Sequence, residues 1–180
     1  MPTYAAFLRA INLGSTRKFP KEELRAAVEG TGASAVETYI NTGNVRLTVG
    51  ARSVQKVEAT LERAFLEDRG FPVPTIVLTL PELAGIAADA DDLAAGFEGL
   101  GSHYISLLKA APDAEARAQL ESLGTEGDRA AVRGRAVHVL MREERAYRTT
   151  RFDTARVERL LGVSTNRNAT VIRTLATKWC

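Results

Sequence analysis

The chain has 180 residues, 45% hydrophobic and 26% charged, with a formal net charge of +2. That length holds one large domain or two small ones, and with only 6% aromatic residues the core must be mainly aliphatic. No run approaches the roughly eighteen apolar residues of a membrane span, the start Met1-Pro2-Thr3-Tyr4 lacks the pattern of a secretory signal, and a lone cysteine, Cys180, excludes an internal disulfide or an intrachain thiolate cluster. These features predict a cytoplasmic protein without a membrane partner.

In chain order, Tyr4, Ala6 and Leu8 alternate with Thr3, Ala5 and Phe7. Both faces are largely apolar, which predicts a strand central in its sheet. Arg9 to Phe19 is a polar, glycine-containing loop. Pro20 suits the first turn of a helix whose buried side is Leu24, Ala27 and Val28, ended by Gly30 to Gly32. Strands over 35–40 and 44–49 flank the turn Asn41-Thr42-Gly43-Asn44, a hairpin signal. Ser53 caps a second helix with Val54, Val57, Leu61, Ala64 and Phe65 on one face, closed by Gly70. Val73 to Leu78 is a strand in which Pro74 indicates an edge or a strand start. The order is βαββαβ, the split βαβ unit of ferredoxin-like folds.

Thr79 and Glu82 have capping-box spacing for another helix. Asp89 to Gly101 reads as an acidic, glycine-rich loop, His103 to Leu108 as a strand, and Pro112 to Leu123 as a helix. Segments 127–132 and 136–141 flank Arg133-Gly134-Arg135 as a second hairpin. Arg142 to Arg151 is a basic connector, Phe152 to Leu161 a helix stopped by Gly162. Asn168 or Thr165 starts a final helix with Val171, Ile172, Leu175, Ala176 and Trp179 as its apolar face. The second half thus reads α–β–α–ββ–α–α. The predicted fold class is α+β: two ferredoxin-like subdomains, 1–78 and 79–180, with helices on one face of antiparallel sheets and the second elaborated by C-terminal helices.

Two segments stand out chemically. Strands one and three of a βαββαβ unit are antiparallel neighbours, so the loop Arg9–Gly14 should meet the tip Asn41–Asn44. Arg9, Asn12, Gly14, Asn41, Gly43 and Asn44 then offer a cation, amides and accessible backbone amides suited to a phosphate or carboxylate. The other segment, Thr165-Asn166-Arg167-Asn168, sets a cation at an expected helix N-terminus, where free amides favour anions. From Arg142 to Lys178 there are nine basic and four acidic residues, and Arg142, Arg145, Tyr147, Arg148 and Arg151 have the character of a backbone-contacting, base-stacking strip. Against a sheet platform for RNA, Tyr4 and Phe7 point to opposite faces and 44–49 carries no aromatic. There is no nucleophile elbow and no phosphate-loop lysine motif. His103 and His138, the only histidines, make a poor zinc set. No cofactor and no metal site are expected.

The segment Tyr4-Ala5-Ala6-Phe7-Leu8-Arg9-Ala10-Ile11-Asn12-Leu13-Gly14, the pair Leu24-Arg25, the block Thr38-Tyr39-Ile40-Asn41-Thr42-Gly43-Asn44-Val45 and the late block Thr165-Asn166-Arg167-Asn168 together resemble the DUF1697 family, an uncharacterised bacterial group. Leu13 stands in place of the family's valine, Ser15 in place of its second glycine, Thr42 where serine is usual, and Ala169 where tryptophan is common. The resemblance implies an α+β protein with two ferredoxin-like subdomains, and no established activity, cofactor or substrate. Its motifs coincide with Arg9, Asn12, Gly14, Asn41, Gly43, Asn44, Arg167 and Asn168. The functional expectation is a protein that binds an anionic ligand such as nucleic acid or a nucleotide. The alternatives are an enzyme using the Arg9/Asn12/Asn44 region, and a structural or protein-interaction module in which these residues fix loops.

Overall fold

A computed structural model describes residues 1–12, 15–144 and 150–180. The chain divides into two compact units, Met1–Leu83 with Trp179–Cys180, and Ala84–Lys178. Each contains one four-stranded antiparallel sheet with helices packed on one face, so the chain is α+β.

The first unit runs β1 (Thr3–Leu8), α1 (Lys21–Glu29), β2 (Ser34–Tyr39), β3 (Asn44–Thr48), α2 (Val54–Arg69) and β4 (Thr75–Thr79). Its strand order is β2-β3-β1-β4. β1 is central, as its two apolar faces predict, and β4, preceded by Pro74, is an edge. Tyr4, Ala6 and Leu8 face the helices with Val45, Leu47 and Val77, and meet Leu24, Val28, Leu61 and Phe65 there. Each such large side chain, fully buried, stabilises the fold by about 1.5–3 kcal/mol. Phe19 packs edge-on against Phe65, ring centroids 5.2 Å apart. Ser53 caps α2, its hydroxyl accepting from the Lys56 amide. Trp179 belongs to this unit: its indole N–H donates to Glu37 Oε1 on β2 at 3.1 Å.

The second unit contains β5 (Ser102–Leu108), α4 (Ala114–Glu121), β6 (Asp128–Arg133), β7 (Ala136–Met141), α5 (Thr154–Leu161) and β8 (Ser164–Asn168), ordered β6-β7-β5-β8 in the sheet. This is the same βαββαβ plan. Leu108, Leu120, Val137, Val139, Phe152 and Val157 form the core between sheet and helices.

Two expectations are corrected. The segment expected as a loop from Asp89 is mostly helical: α3 runs Leu80–Ala95. Leu83, Ile86, Ala87 and Ala90 are buried at helical spacing, and the alanines between them favour helix strongly enough to carry Asp91 and Asp92 on the exposed side. The Thr79–Glu82 capping box at its start is present, with the Thr79 amide donating to Glu82 Oε2 at 2.9 Å and the Glu82 amide to Thr79 Oγ1 at 3.3 Å. Second, of the two expected starts of the last helix, Asn168 holds and Thr165 does not: α6 begins at Ala169, directly after Asn168, and ends at Trp179, whereas Ser164–Asn168 is strand β8, paired antiparallel with β5 from Tyr104↔Asn168 to Leu108↔Ser164. Of the basic connector, Arg145, Tyr147 and Arg148 lie outside the described residues; Arg142 pairs with Glu126 at 3.0 Å.

Both units close sheet edges the same way. On β4 the alternate amides of Thr75 and Val77 donate to Glu62 Oε1 (2.8 Å) and Glu58 Oε1 (3.0 Å) of α2. In the second unit Val132 on edge strand β6 donates to Glu121 of α4 (2.7 Å), and Ser164 on edge strand β8 to Glu158 of α5 (3.1 Å). Edge amides left bare are templates for pairing with other chains; here helix carboxylates occupy them. Among the described residues no helix is long and apolar enough to cross a membrane.

Candidate functional site

The antiparallel pairing of β1 with β3 sets Phe7 opposite Asn44, so loop one leaves the sheet beside the hairpin tip. Two backbone bonds fix the exit: Leu8 N–H to Gly43 O at 2.8 Å and Arg9 N–H to Pro74 O at 2.9 Å. Asn12 then clasps the loop. Its Oδ1 accepts from the Phe19 amide at 2.8 Å, and its Nδ2 donates to Phe19 O at 3.1 Å and Asn41 O at 3.0 Å. Arg17 closes the loop, donating through Nε to Ala10 O at 2.7 Å and through Nη2 to Pro72 O at 2.5 Å, with its guanidinium 4.8 Å from the Phe71 ring centroid.

Asn44 is fully buried. Its Nδ2 donates to Tyr39 O (3.1 Å) and Thr42 Oγ1 (2.9 Å), closing the turn. Around this rim Ala10, Asn12, Arg17 and Ile40 hold left-handed backbone, with φ of 55°, 55°, 51° and 46°. For residues other than glycine or asparagine that conformation costs about 1–2 kcal/mol each. Such strain persists only where surrounding contacts over-determine it, and it concentrates at functional sites.

At this rim Asn12 bonds Asn41, and Gly43 and Asn44 lie beside the end of β1, while the Arg9 backbone is tied to Pro74 on the β4 side. Gly14 lies outside the described residues. Asn12 and Asn44 turn amides toward the backbone and hold shape; Asn41 is exposed, Arg9 half-buried and Lys18 exposed. Asn12→Ala should cost about 2 kcal/mol in urea unfolding, because the Phe19 amide and carbonyl lose their partner together; Asn12→Asp, which keeps the acceptor, should lose less.

Arg167 and Asn168 belong to the second unit. Arg167 is on β8 rather than at a helix N-terminus, buried, donating through Nη1 to Thr165 Oγ1 at 2.9 Å and Asn166 O at 2.7 Å. Burial pulls its guanidinium down to about 10, still cationic at neutral pH. Asn168 is exposed and caps α6, its Oδ1 accepting from the Thr170 amide at 2.8 Å.

A pair the sequence reading set aside also emerges in the second unit. His103 on β5 and His138 on β7 touch through Nε2 and Nδ1 at 3.3 Å. Tracking the alternation of β5 and β7 would have put both on the sheet face away from α4 and α5. Among the described residues no group of three or more His, Cys, Asp or Glu side chains is arranged to hold a metal ion. A cleft of about 180 Å³ in the first unit, lined by Thr31, Leu47, Val49, Ala51, Val57 and Leu61 among others, includes none of the residues expected at the site.

A model of the family described as "Protein of unknown function (DUF1697)" matches residues 1–138. The chain belongs to the DUF1697 family. The matched span contains the whole loop-and-hairpin rim of this DUF1697 chain; the block around Arg167 lies beyond it. A solved structure described as that of the conserved bacterial protein SP0830 from Streptococcus pneumoniae has the same fold, with a TM-score of 0.77, 24% sequence identity, and coverage of 99% of this chain and 98% of that one. A search of curated proteins found no match.

Proposed function

We propose that this DUF1697 chain is a cytoplasmic binding protein for an anionic ligand of the nucleotide or nucleic-acid class, and that the first unit's rim is its contact surface. Arg9 supplies the charge, Asn41 a polar neighbour, and Asn12, Gly43 and Asn44 the rigid frame. The observation that carries this reading is the clasped loop: four non-glycine residues sit in left-handed backbone, held there by bonds from Asn12, Arg17 and Asn44. Strain supported in this way preorganises a surface, which lowers the ordering cost of binding. In the second unit Arg167 and Asn168 are the corresponding proposed contacts; the buried setting of Arg167 suits a charge held in place rather than a mobile one.

Binding of short RNA, single-stranded DNA, duplex DNA and nucleoside triphosphates at several salt concentrations tests this. Phosphate contacts predict affinity falling as salt rises. Arg9→Ala should weaken binding by about tenfold or more, the scale of one charge-assisted hydrogen bond. No binding to any of these, or binding indifferent to both salt and Arg9→Ala, overturns the reading.

The inward bonds of Asn12 and Asn44 favour a second reading, a structural or protein-interaction module. It predicts that Asn44→Ala lowers stability while every binding property stays as in the wild type.

A further inference from the structure

His103 and His138 are 7% and 0% exposed and share one contact, Nε2 to Nδ1 at 3.3 Å. Their other nitrogens, His103 Nδ1 and His138 Nε2, are buried without a hydrogen-bond partner. One ring donates and the other accepts in the shared contact, so of the two remaining nitrogens one carries a proton with no acceptor and the other a lone pair with no donor. Protonating that lone pair would create a cation with a second orphaned N–H in the interior.

The surroundings oppose it too. In register, His138 lies opposite Ala131 of β6 and Ile105 of β5, and Ile105 lies opposite Arg167 of β8. Arg129 and Arg133 share that face of β6, and Arg173 of α6 adds charge near both rings. Among the described residues, the acidic group named as bearing on the pair is Asp91 of α3, already bonded to Arg173 at 2.6 Å. This excess of arginine disfavours a metal ion between the rings as much as a proton.

We propose that the His103–His138 pair is an acid-sensitive latch: the second sheet closes around two neutral imidazoles, and protonation of either ring opens it along β5 and β7. The direction of titration agrees. Burial first, then Arg173 with weaker opposition from Asp91, pulls His103 down to about 4; burial, then His103, Arg133 and Arg173, pulls His138 down to about 3. Above the ordinary value near 6.5 both states are neutral and the pair is indifferent to pH. Below it the unfolded chain takes up protons that the folded chain refuses, so stability falls from about pH 6.5 down to about 4 for His103 and about 3 for His138.

These are the chain's only histidines, which makes the test clean. In the folded wild type, neither imidazole Cε1–H resonance should shift between pH 7.5 and 5. In urea, the wild-type unfolding constant should rise several hundredfold from pH 7 to pH 5, about twentyfold per histidine. The double variant His103→Leu/His138→Leu should lose most of that dependence. A ring titrating near 6.5 in the folded chain overturns the proposal, as does a double variant as acid-sensitive as the wild type. Should the double variant fail to fold, the wild-type resonances decide alone.

Discussion

Gly43→Ala should destabilise the first unit by about 2–5 kcal/mol in urea unfolding. Two costs add. Gly43 has φ of 73°, where a side chain costs about 1–2 kcal/mol. A Cβ built there would also lie 2.7 Å from Leu8 Cβ and 2.9 Å from Ile11 Cδ1, an overpacking whose relief costs about 1–3 kcal/mol. Relief means moving the tip away from β1, which pulls on the Leu8–Gly43 backbone bond and on the Asn12 clasp beyond it. Gly32 is the control, with φ of 85° and nothing within 4 Å of its built Cβ. Gly32→Ala should show the conformational cost alone, about 1–2 kcal/mol. Equal losses at the two positions would mean that the hairpin tip does not press on loop one.

Glu58→Ala should cost about 2–4 kcal/mol, as much as truncating a core aliphatic residue. Glu58 is 2% exposed and accepts from the buried Val77 amide. Its removal deletes a charge-assisted bond and strands an N–H away from water, penalties of about 1.5–3 and 1–3 kcal/mol that partly overlap. Glu58→Gln retains a carbonyl oxygen and should lose less than half as much. Glu62→Ala should be milder, since Glu62 is only half-buried. A Glu58→Ala protein within about 0.5 kcal/mol of wild type would assign the closure of β4 to something other than this carboxylate.

What sequence made legible followed from patterns local to each element. Two apolar faces on Thr3–Leu8 required a central strand, and Pro74 an edge; the alternation around Asn41–Asn44 set the hairpin. From those the meeting of loop one and the tip follows by topology. The orientation of Asn12 and Asn44 does not, because it depends on left-handed backbone at Ala10, Asn12 and Arg17, and alanine or arginine gives no warning of that conformation. Strand β8 was hidden for a related reason. Ser-Thr-Asn-Arg-Asn lacks the apolar alternation of a strand and resembles a cap; pairing with β5 decides its state, and Asn168 still caps α6. The end of α3 carries three aspartates and so reads as a loop, but over the whole helix six alanines stand against those three. The histidine pair needed the register of β5 against β7, strands about thirty residues apart in the chain, and no local pattern supplies that.

The bond from Trp179 to Glu37 joins residues 142 positions apart, and Cys180 Sγ donates to Leu80 O at 3.3 Å. Contacts of such long range are late rewards for a growing polypeptide, because the loop between them must be made and closed first. On a ribosome, the hairpin and both helices of the first unit are available early, yet its outermost strand waits for its tryptophan until the whole of the second unit has been translated. The first unit therefore stays one indole short of complete throughout the synthesis of the second.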